Sequence, residues 1–196
     1  MSEKSAQKRK YILEKAREVF AQKGYKDVTM KDIVEASDIS RGGLYLYFSS
    51  IEELFLAVLS DEVDEDDDEA ITKALNNDAT AGDMLALFLK EQKKEILRKK
   101  NSLVMASYEY FSINDIPPHN NPLKKQFDAG VQIVQALIEN GVAAGEFQCS
   151  DPYGCSRNLM YVIEGLKVSA KTIGINEETV DRELLYILEG LVPDDI

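Results

Sequence analysis

Apolar residues recur at three- and four-residue steps along almost the whole chain, and no stretch alternates as a half-buried strand would. A first helix is predicted from Ser5 to Lys23, with Ile12, Ala16, Val19 and Phe20 as one stripe, stopped by Gly24. Thr29 can cap the next, with Asp32 completing a capping box and Met30, Ile33 and Ala36 facing inward. Asp38 is placed to turn the chain, because a short polar residue tolerates the left-handed backbone region. Ser40 then caps a short helix, Arg41 to Phe48, whose Leu44 and Phe48 share a burying face. Arg41, Gly43, Tyr45 and Leu46 are left to its other faces.

Further on, Ser49 and Ser50 each stand three residues before a glutamate, so either can open a helix that runs through Leu54, Phe55, Val58 and Leu59 toward Leu75. Thr80 and Asp83 form a capping box for a helix ending near Lys99. Asn101 to Ile116 is apolar and aromatic, with Met105, Tyr108 and Phe111 at three-residue steps. Asn121–Pro122 and Asp151–Pro152 each set a cap before a first-turn proline. The helices they open carry Phe127, Val131, Val134, Leu137 and Ile138 up to Gly141 or Gly145, and Leu159, Val162, Ile163, Leu166, Ala170 and Ile173 up to Gly174. A last helix opens at Asn176 with Val180, Leu184, Ile187, Leu188 and Leu191 as its stripe. The expected class is all-α, with about nine helices.

Two short helices across a tight turn describe a helix-turn-helix, whose second helix enters the DNA major groove by its N-terminal end. Arg41 sits at that leading end and suits a bidentate contact to guanine O6 and N7, while Tyr45 can donate to phosphate and Gly42 and Gly43 permit close backbone approach. For Tyr45 and Tyr47, packing is the competing role.

Charge refines this picture. The formal net charge is −12, yet residues 1–50 hold ten Lys/Arg against seven Asp/Glu, and residues 51–196 hold thirteen against twenty-eight. A mildly basic head on an acidic body orients the head toward a duplex. Lys4, Lys8, Arg9 and Lys10 crowd the first turns of a helix, where cations oppose the helix dipole, so DNA phosphate is their expected partner, with a merely solubilising basic end as the alternative. The acidic run DEVDEDDDE, residues 61–69, lacks the glycine and spacing of a calcium loop and is expected to be a solvated segment without a metal. No run is long and apolar enough for a membrane span, and the start lacks a signal peptide's apolar core, so the cytoplasm is the expected compartment. Cys149 and Cys155 are too few for a disulfide scaffold and are expected as buried free thiols. His119 is the only histidine, and with neither G-x-S-x-G nor H-E-x-x-H an enzyme is not expected. No cofactor is implied. A helical interaction module using its acidic run on basic proteins is the other class of function.

The stretches ILEKAREVFAQKGY (12–25), TMKDIVEASDIS (29–40) and RGGLYLYFSSIEEL (41–54), with GVAAGEF (141–147), resemble the TetR family of bacterial transcriptional regulators. The resemblance implies a homodimer with a three-helix DNA-binding head, residues 1–48, and a ligand-binding and dimerisation body, residues 49–196. It implies a repressor that binds a palindromic double-stranded operator and is released by a small-molecule effector. By position, Thr29 and Lys31 would meet phosphate, and Ser40, Arg41, Gly42, Gly43, Tyr45 and Tyr47 would face bases or backbone. The family often has lysine where this chain has Ser49 and Ile51, which weakens the phosphate clamp.

In the body, Glu164 lies among Leu159, Val162, Ile163 and Leu166, and it either attracts a cationic ligand to a cavity or pairs with a group such as Arg157. Met105, Tyr108, Phe111, Phe127 and Tyr161 could line the same space, which suits a mostly apolar effector, or could be plain core. The last two helices carry more apolar surface than one body needs, and pairing them across a two-fold axis makes a four-helix interface.

Overall fold

A computed structural model describes residues 3–61 and 79–191. Among the described residues there are nine helices and no strand: α1 Glu3–Lys23, α2 Met30–Ser37, α3 Arg41–Tyr45, α4 Ile51–Ser60, α5 Ala81–Leu97, α6 Val104–Ile113, α7 Pro122–Ala144, α8 Pro152–Thr172 and α9 Glu177–Glu189. The expected all-α class is the observed fold. The expected extension of α4 toward Leu75 and all of the acidic run but Asp61 lie outside the described residues. The chain divides into two compact units, one taking the described residues of Met1–Val63 and Lys99–Asp115, the other those of Asp64–Arg98 and Ile116–Ile196.

The first unit is built on α1. Its stripe, Ile12, Leu13, Ala16, Val19 and Phe20, is buried, and Gly24 ends the helix at φ 77°. Phe20, Tyr25, Phe55 and Tyr110 then form one aromatic cluster, with Phe20–Phe55 centroids 4.8 Å apart, Tyr25–Phe55 4.9 Å and Tyr25–Tyr110 4.8 Å. Edge-on and tilted rings at these separations let the positive rim of one meet the negative face of the next. The Tyr110 hydroxyl donates to Glu52 at 2.8 Å. Burial, with that carboxylate accepting the proton, holds the Tyr110 phenol well above its ordinary range. Next to it, Glu109 accepts from the backbone N–H of Tyr25 at 2.7 Å and of Lys26 at 3.2 Å. A Cβ on Gly24 would lie 2.5 Å from the Glu109 carboxylate, so glycine is required there for both its φ and its bareness.

Two sequence expectations are corrected in this unit. Ala36 is exposed, and Ser37 takes the buried position, its hydroxyl bonded back to the Ile33 carbonyl at 2.6 Å. In α6 the buried residues are Ala106, Ser107 and Tyr110, not the Met105–Tyr108–Phe111 stripe. Met105 is 37% exposed, and Tyr108 and Phe111 are half-buried.

The second unit packs α5, α7, α8 and α9 around Leu85, Leu89, Val134, Ile138, Leu159 and Ile163, with Val180 and Leu184 closing the core from α9. A Cβ on Gly130 would meet the Met160 side chain at 2.5 Å, so the bare backbone of α7 is what lets α8 seat there. The carboxylate of Glu146 caps α5 from the loop after α7, accepting from Gly82 N–H at 2.9 Å and Ala81 N–H at 3.3 Å. Lys93 ties α5 to α9 through Asp181 at 2.6 Å and Glu177 at 2.8 Å. Every expected cap in this unit forms: Thr80 with Asp83, Asn121, Asp151 and Asn176. Ile173, expected on the inner face, is 78% exposed at the end of α8. The cysteines are free but half-exposed, which corrects the expectation that they are buried.

Phe55→Ala removes the ring that touches the other three of the cluster, and is expected to destabilise the first unit by about 3–5 kcal/mol. Tyr110→Phe keeps the ring and loses one hydrogen bond, so it is expected to cost about 1 kcal/mol. Denaturant unfolding followed at the aromatic signals checks the order; equal losses would mean that the hydroxyl, not the ring packing, dominates.

Candidate nucleic-acid interface

Thr29 opens α2 from an extended backbone, and its capping box is complete: Asp32 N–H reaches Thr29 Oγ1 at 3.4 Å, while Asp32 Oδ2 accepts from Thr29 N–H at 2.8 Å. The Lys23 ammonium donates to Asp32 Oδ1 at 2.5 Å. With that cation first, and then the Thr29 hydroxyl and amide, bonded to its charged form, the Asp32 carboxyl is held well below the usual carboxylate range. Asp38 carries the turn in the left-handed region at φ 52°. Ser40 caps α3 by accepting from Gly43 N–H at 3.1 Å. All three were legible as expectations from the sequence.

On α3, Leu44 and the following Phe48 are buried and anchor the element. The rest is presented outward. Arg41 and Gly42 are exposed, Tyr45 is 42% exposed and Leu46 84%. The Arg41 guanidinium lies 5.7 Å from the Tyr45 ring centroid, a cation–π contact that holds both side chains on one face. The two glycines differ in role. A Cβ on Gly43 would crowd Ile39 Cγ2 at 2.9 Å and Ser40 Oγ at 3.1 Å, so Gly43 is required by the turn itself, whereas Gly42 faces open space.

A concavity of about 640 Å³ runs between the start of α2 and α3, lined by Thr29, Lys31, Arg41 and Tyr45, with Ser49 and Ile51 at its far side. Four of the eight expected DNA-facing residues therefore share one surface. Lys31 is 83% exposed, with Glu35 3.6 Å away. Ser40, Gly42 and Gly43 are not among the residues lining the concavity. Tyr47 is half-buried and accepts a long 3.4 Å hydrogen bond from Ser5. Arg9, expected among the phosphate-facing cations, lies 5.2 Å from the Phe48 ring and so braces the end of this element, leaving Lys4, Lys8 and Lys10 exposed. Met30 and Val34 also line the concavity, and as apolar positions of a short helix they carry no local signal of it.

The residues expected to meet an effector fall into both compact units: Met105, Tyr108 and Phe111 belong to the first, and Phe127, Tyr161 and Glu164 to the second. Phe111 packs edge-on against Tyr110, and Phe127 meets Tyr161 with centroids 4.9 Å apart. Tyr161 is exposed and accepts from Arg157 at 2.9 Å. Glu164 is ion-paired with Lys167 at 2.8 Å, not with Arg157 as the sequence had allowed. No group of three or more His, Cys, Asp or Glu is arranged to hold a metal ion among the described residues.

Comparison with known proteins bears on this geometry directly. A family model described as bacterial regulatory proteins, tetR family, matches residues 12–58, and one described as tetracyclin repressor-like, C-terminal domain, matches residues 84–181. The chain belongs to the TetR family. The uncharacterized HTH-type transcriptional regulator YfiR of Bacillus subtilis is 34% identical over 144 residues, covering 72% of this chain and 68% of its own. The HTH-type transcriptional regulator QacR of Staphylococcus aureus is 26% identical over 168 residues, 85% of this chain and 87% of its own. The fold is shared with a putative transcriptional regulator from Saccharomonospora viridis, solved in complex with choline, at a TM-score of 0.80 and 19% identity over 96% of this chain and 99% of that one. As a TetR-family protein the chain is a helix-turn-helix transcriptional regulator, and α2 and α3 lie within the residues that the regulatory-protein model matches.

The depressed Asp32 sets a pH dependence. Its contribution to stability is complete above the ordinary carboxylate value of 3.8 and is lost as pH falls below that toward the lower folded-state value. Asp32→Asn is therefore expected to melt below the wild type at neutral pH, with the gap closing as pH falls below that value. A gap unchanged down to the acid limit of folding would show that Asp32 acts without its charge.

Proposed function

We propose that this regulator is a repressor that binds a palindromic operator as a homodimer in the cytoplasm and is released by a small-molecule effector, with no catalytic step of its own. The observation that carries the DNA reading is the grouping of Thr29, Lys31, Arg41 and Tyr45 around one concavity, on an element whose buried side holds it rigidly in the head. In this reading Arg41 enters the major groove first and contacts a guanine, while Lys31, Thr29 and Tyr45 take phosphates on either side. Residues 1–48 read DNA, and residues 49–196 bind effector and dimerise.

Support for the dimer comes from α8 and α9, which leave Tyr153, Leu185 and Tyr186 exposed in the single chain. Two-fold pairing of these helices would cover them and set two recognition elements for successive major grooves. Phe127 and Tyr161 give an apolar effector an aromatic platform. A cationic effector would have to compete with Lys167 for Glu164. On the head side, Glu109 and Tyr110 fasten α6 to the α1–α2 turn, so any displacement of α6 on effector binding would reach the DNA-binding element.

Binding to duplex DNA is expected to weaken steeply with salt, as phosphate contacts require. Arg41→Ala should cost about 1–3 kcal/mol at one base position and relax preference there, while Lys31→Ala should weaken binding across sequences and lower the salt slope by about 1. An unchanged base preference in Arg41→Ala would remove that residue from base reading, and capture of basic proteins with indifference to DNA at any salt would favour the interaction-module reading. Light scattering should give twice the 22.0 kDa chain mass. Tyr186→Glu should shift it to the single-chain value, and a dimer that survives this change would place the interface elsewhere.

A further inference from the structure

Cys149 and Cys155 play no part in DNA binding or in the proposed effector platform, yet the fold brings them together. Cys149 sits in the loop between α7 and α8, and Cys155 in the first turn of α8, its N–H bonded to the Asp151 carbonyl at 3.0 Å. Both thiols are free and half-exposed, and both line a single cavity of about 930 Å³ within the second unit. Asp151, Glu183 and Glu189 line the same cavity, which makes it unwelcoming to anionic reagents and leaves it open to small neutral ones.

We propose that Cys149 and Cys155 are a hydroperoxide-reactive dithiol that closes to an intramolecular disulfide and gives the regulator a redox input. Burial, then the neighbouring Cys149 and Asp151, pushes the Cys155 thiol up to about 11, so Cys155 keeps its proton at neutral pH and Cys149 supplies the attacking sulfur. The Cys149 thiolate attacks one oxygen of the peroxide, the O–O bond breaks, and the alkoxide leaves as an alcohol after taking a proton from water. Cys149 is now a sulfenic acid. The Cys155 sulfur then attacks that sulfur, the S–S bond forms, and the departing hydroxide leaves as water with the Cys155 proton. The two thiols lose two electrons together, and the peroxide accepts them. Exchange with a dithiol reductant reverses the step.

The placement gives the closure a mechanical consequence. The loop that carries Cys149 also holds Gln148, whose N–H bonds to the Leu191 carbonyl just after α9 at 2.8 Å, and Glu146, which caps α5. Drawing Cys149 onto α8 therefore loads both contacts, one beside the helix pair assigned to the dimer. The chemistry stands on the geometry of the two thiols alone, whereas the redox input to DNA binding rests on the regulator reading.

The test uses the full chain with hydrogen peroxide and tert-butyl hydroperoxide. Both cysteines fall in one tryptic peptide, Gln126–Arg157, so a disulfide lowers the mass of that peptide by about 2 Da and dithiothreitol restores it. Cys155→Ser should leave a sulfenic acid at Cys149 that dimedone traps, and Cys149→Ser should give neither product. An unchanged peptide mass under excess peroxide, or only disulfides between chains, overturns the proposal. In parallel, oxidation should lower duplex-DNA affinity by about 5-fold or more in the wild type and not in Cys149→Ser. A disulfide that forms without that change overturns the redox input, while a reduced protein that ignores DNA sinks the regulator reading and leaves the thiol chemistry standing.

Discussion

A helix of five residues cannot hold itself. Nucleating a helical turn is unfavourable, and α3 is too short to recover that loss through its own hydrogen bonds. Its geometry has to be imposed from outside, and the head does so at each end and along one face. Asp38 in the left-handed region aims the chain, Ser40 takes up a free N–H at the start, and Gly43 lets the turn close against Ile39. Leu44 and Phe48 then sink into the core, with the Arg9 guanidinium over the Phe48 ring. What remains exposed is the small set of side chains able to touch a duplex. The outward face of α3 is thus the residue of a packing problem, and its rigidity comes from the buried side.

The same logic explains why α6 belongs with the first unit. Phe20 and Phe55 pack edge-on within residues 3–61, and Tyr110 supplies a further ring against Phe55. Glu109 meanwhile satisfies two N–H groups at the turn that precedes α2. A segment far along the chain therefore closes the core of the first unit and caps its turn at once. For a regulator this is a useful dependence, because the head's first turn cannot move independently of α6.

Much of this was legible in the sequence, and the division follows range of interaction. Caps and turns at Thr29, Asp38, Ser40, Thr80 and Asn176 depend on residues three or four apart, so the local pattern contains them. The stripe on α1 was legible for the same reason, since its polar face contrasts with its apolar one. On α6 there is no such contrast: VMASYEYFSI is apolar or small on every side, so its periodicity could not choose between the Met105 face and the Tyr110 face. The partners Glu52 and Glu109 come from 58 and 84 residues away from the groups they bind, and nothing local signals them. Ala36 and Ser37 exchanged roles because a serine bonded to its own helix carbonyl can be buried as readily as an alanine. Glu164 looked stranded on an apolar face until Lys167, three residues on, took it up. That the two cysteines line one cavity depends on how a loop folds back on a helix end, which spacing alone does not reveal.

Ser49 and Ile51 show how a departure from the family pattern fits the physics of the site. Both line the concavity where lysines would strengthen a grip on phosphate. Ser49 instead donates its N–H and hydroxyl to Glu53, at 2.8 and 2.6 Å, which places a carboxylate at the entrance of α4, favourable to that helix's dipole and unfavourable to phosphate beside it. The head thus favours the integrity of α4 over raw attraction to the duplex. In the proposed reading, with Lys31, Arg41 and the exposed lysines of α1 as its cations, one head alone would hold a duplex weakly. Two weak heads joined at a fixed spacing bind through effective concentration, which falls off sharply when the spacing no longer matches the sites. In the dimer proposed above, control of DNA binding would therefore lie in the spacing of the two heads more than in the contacts of either.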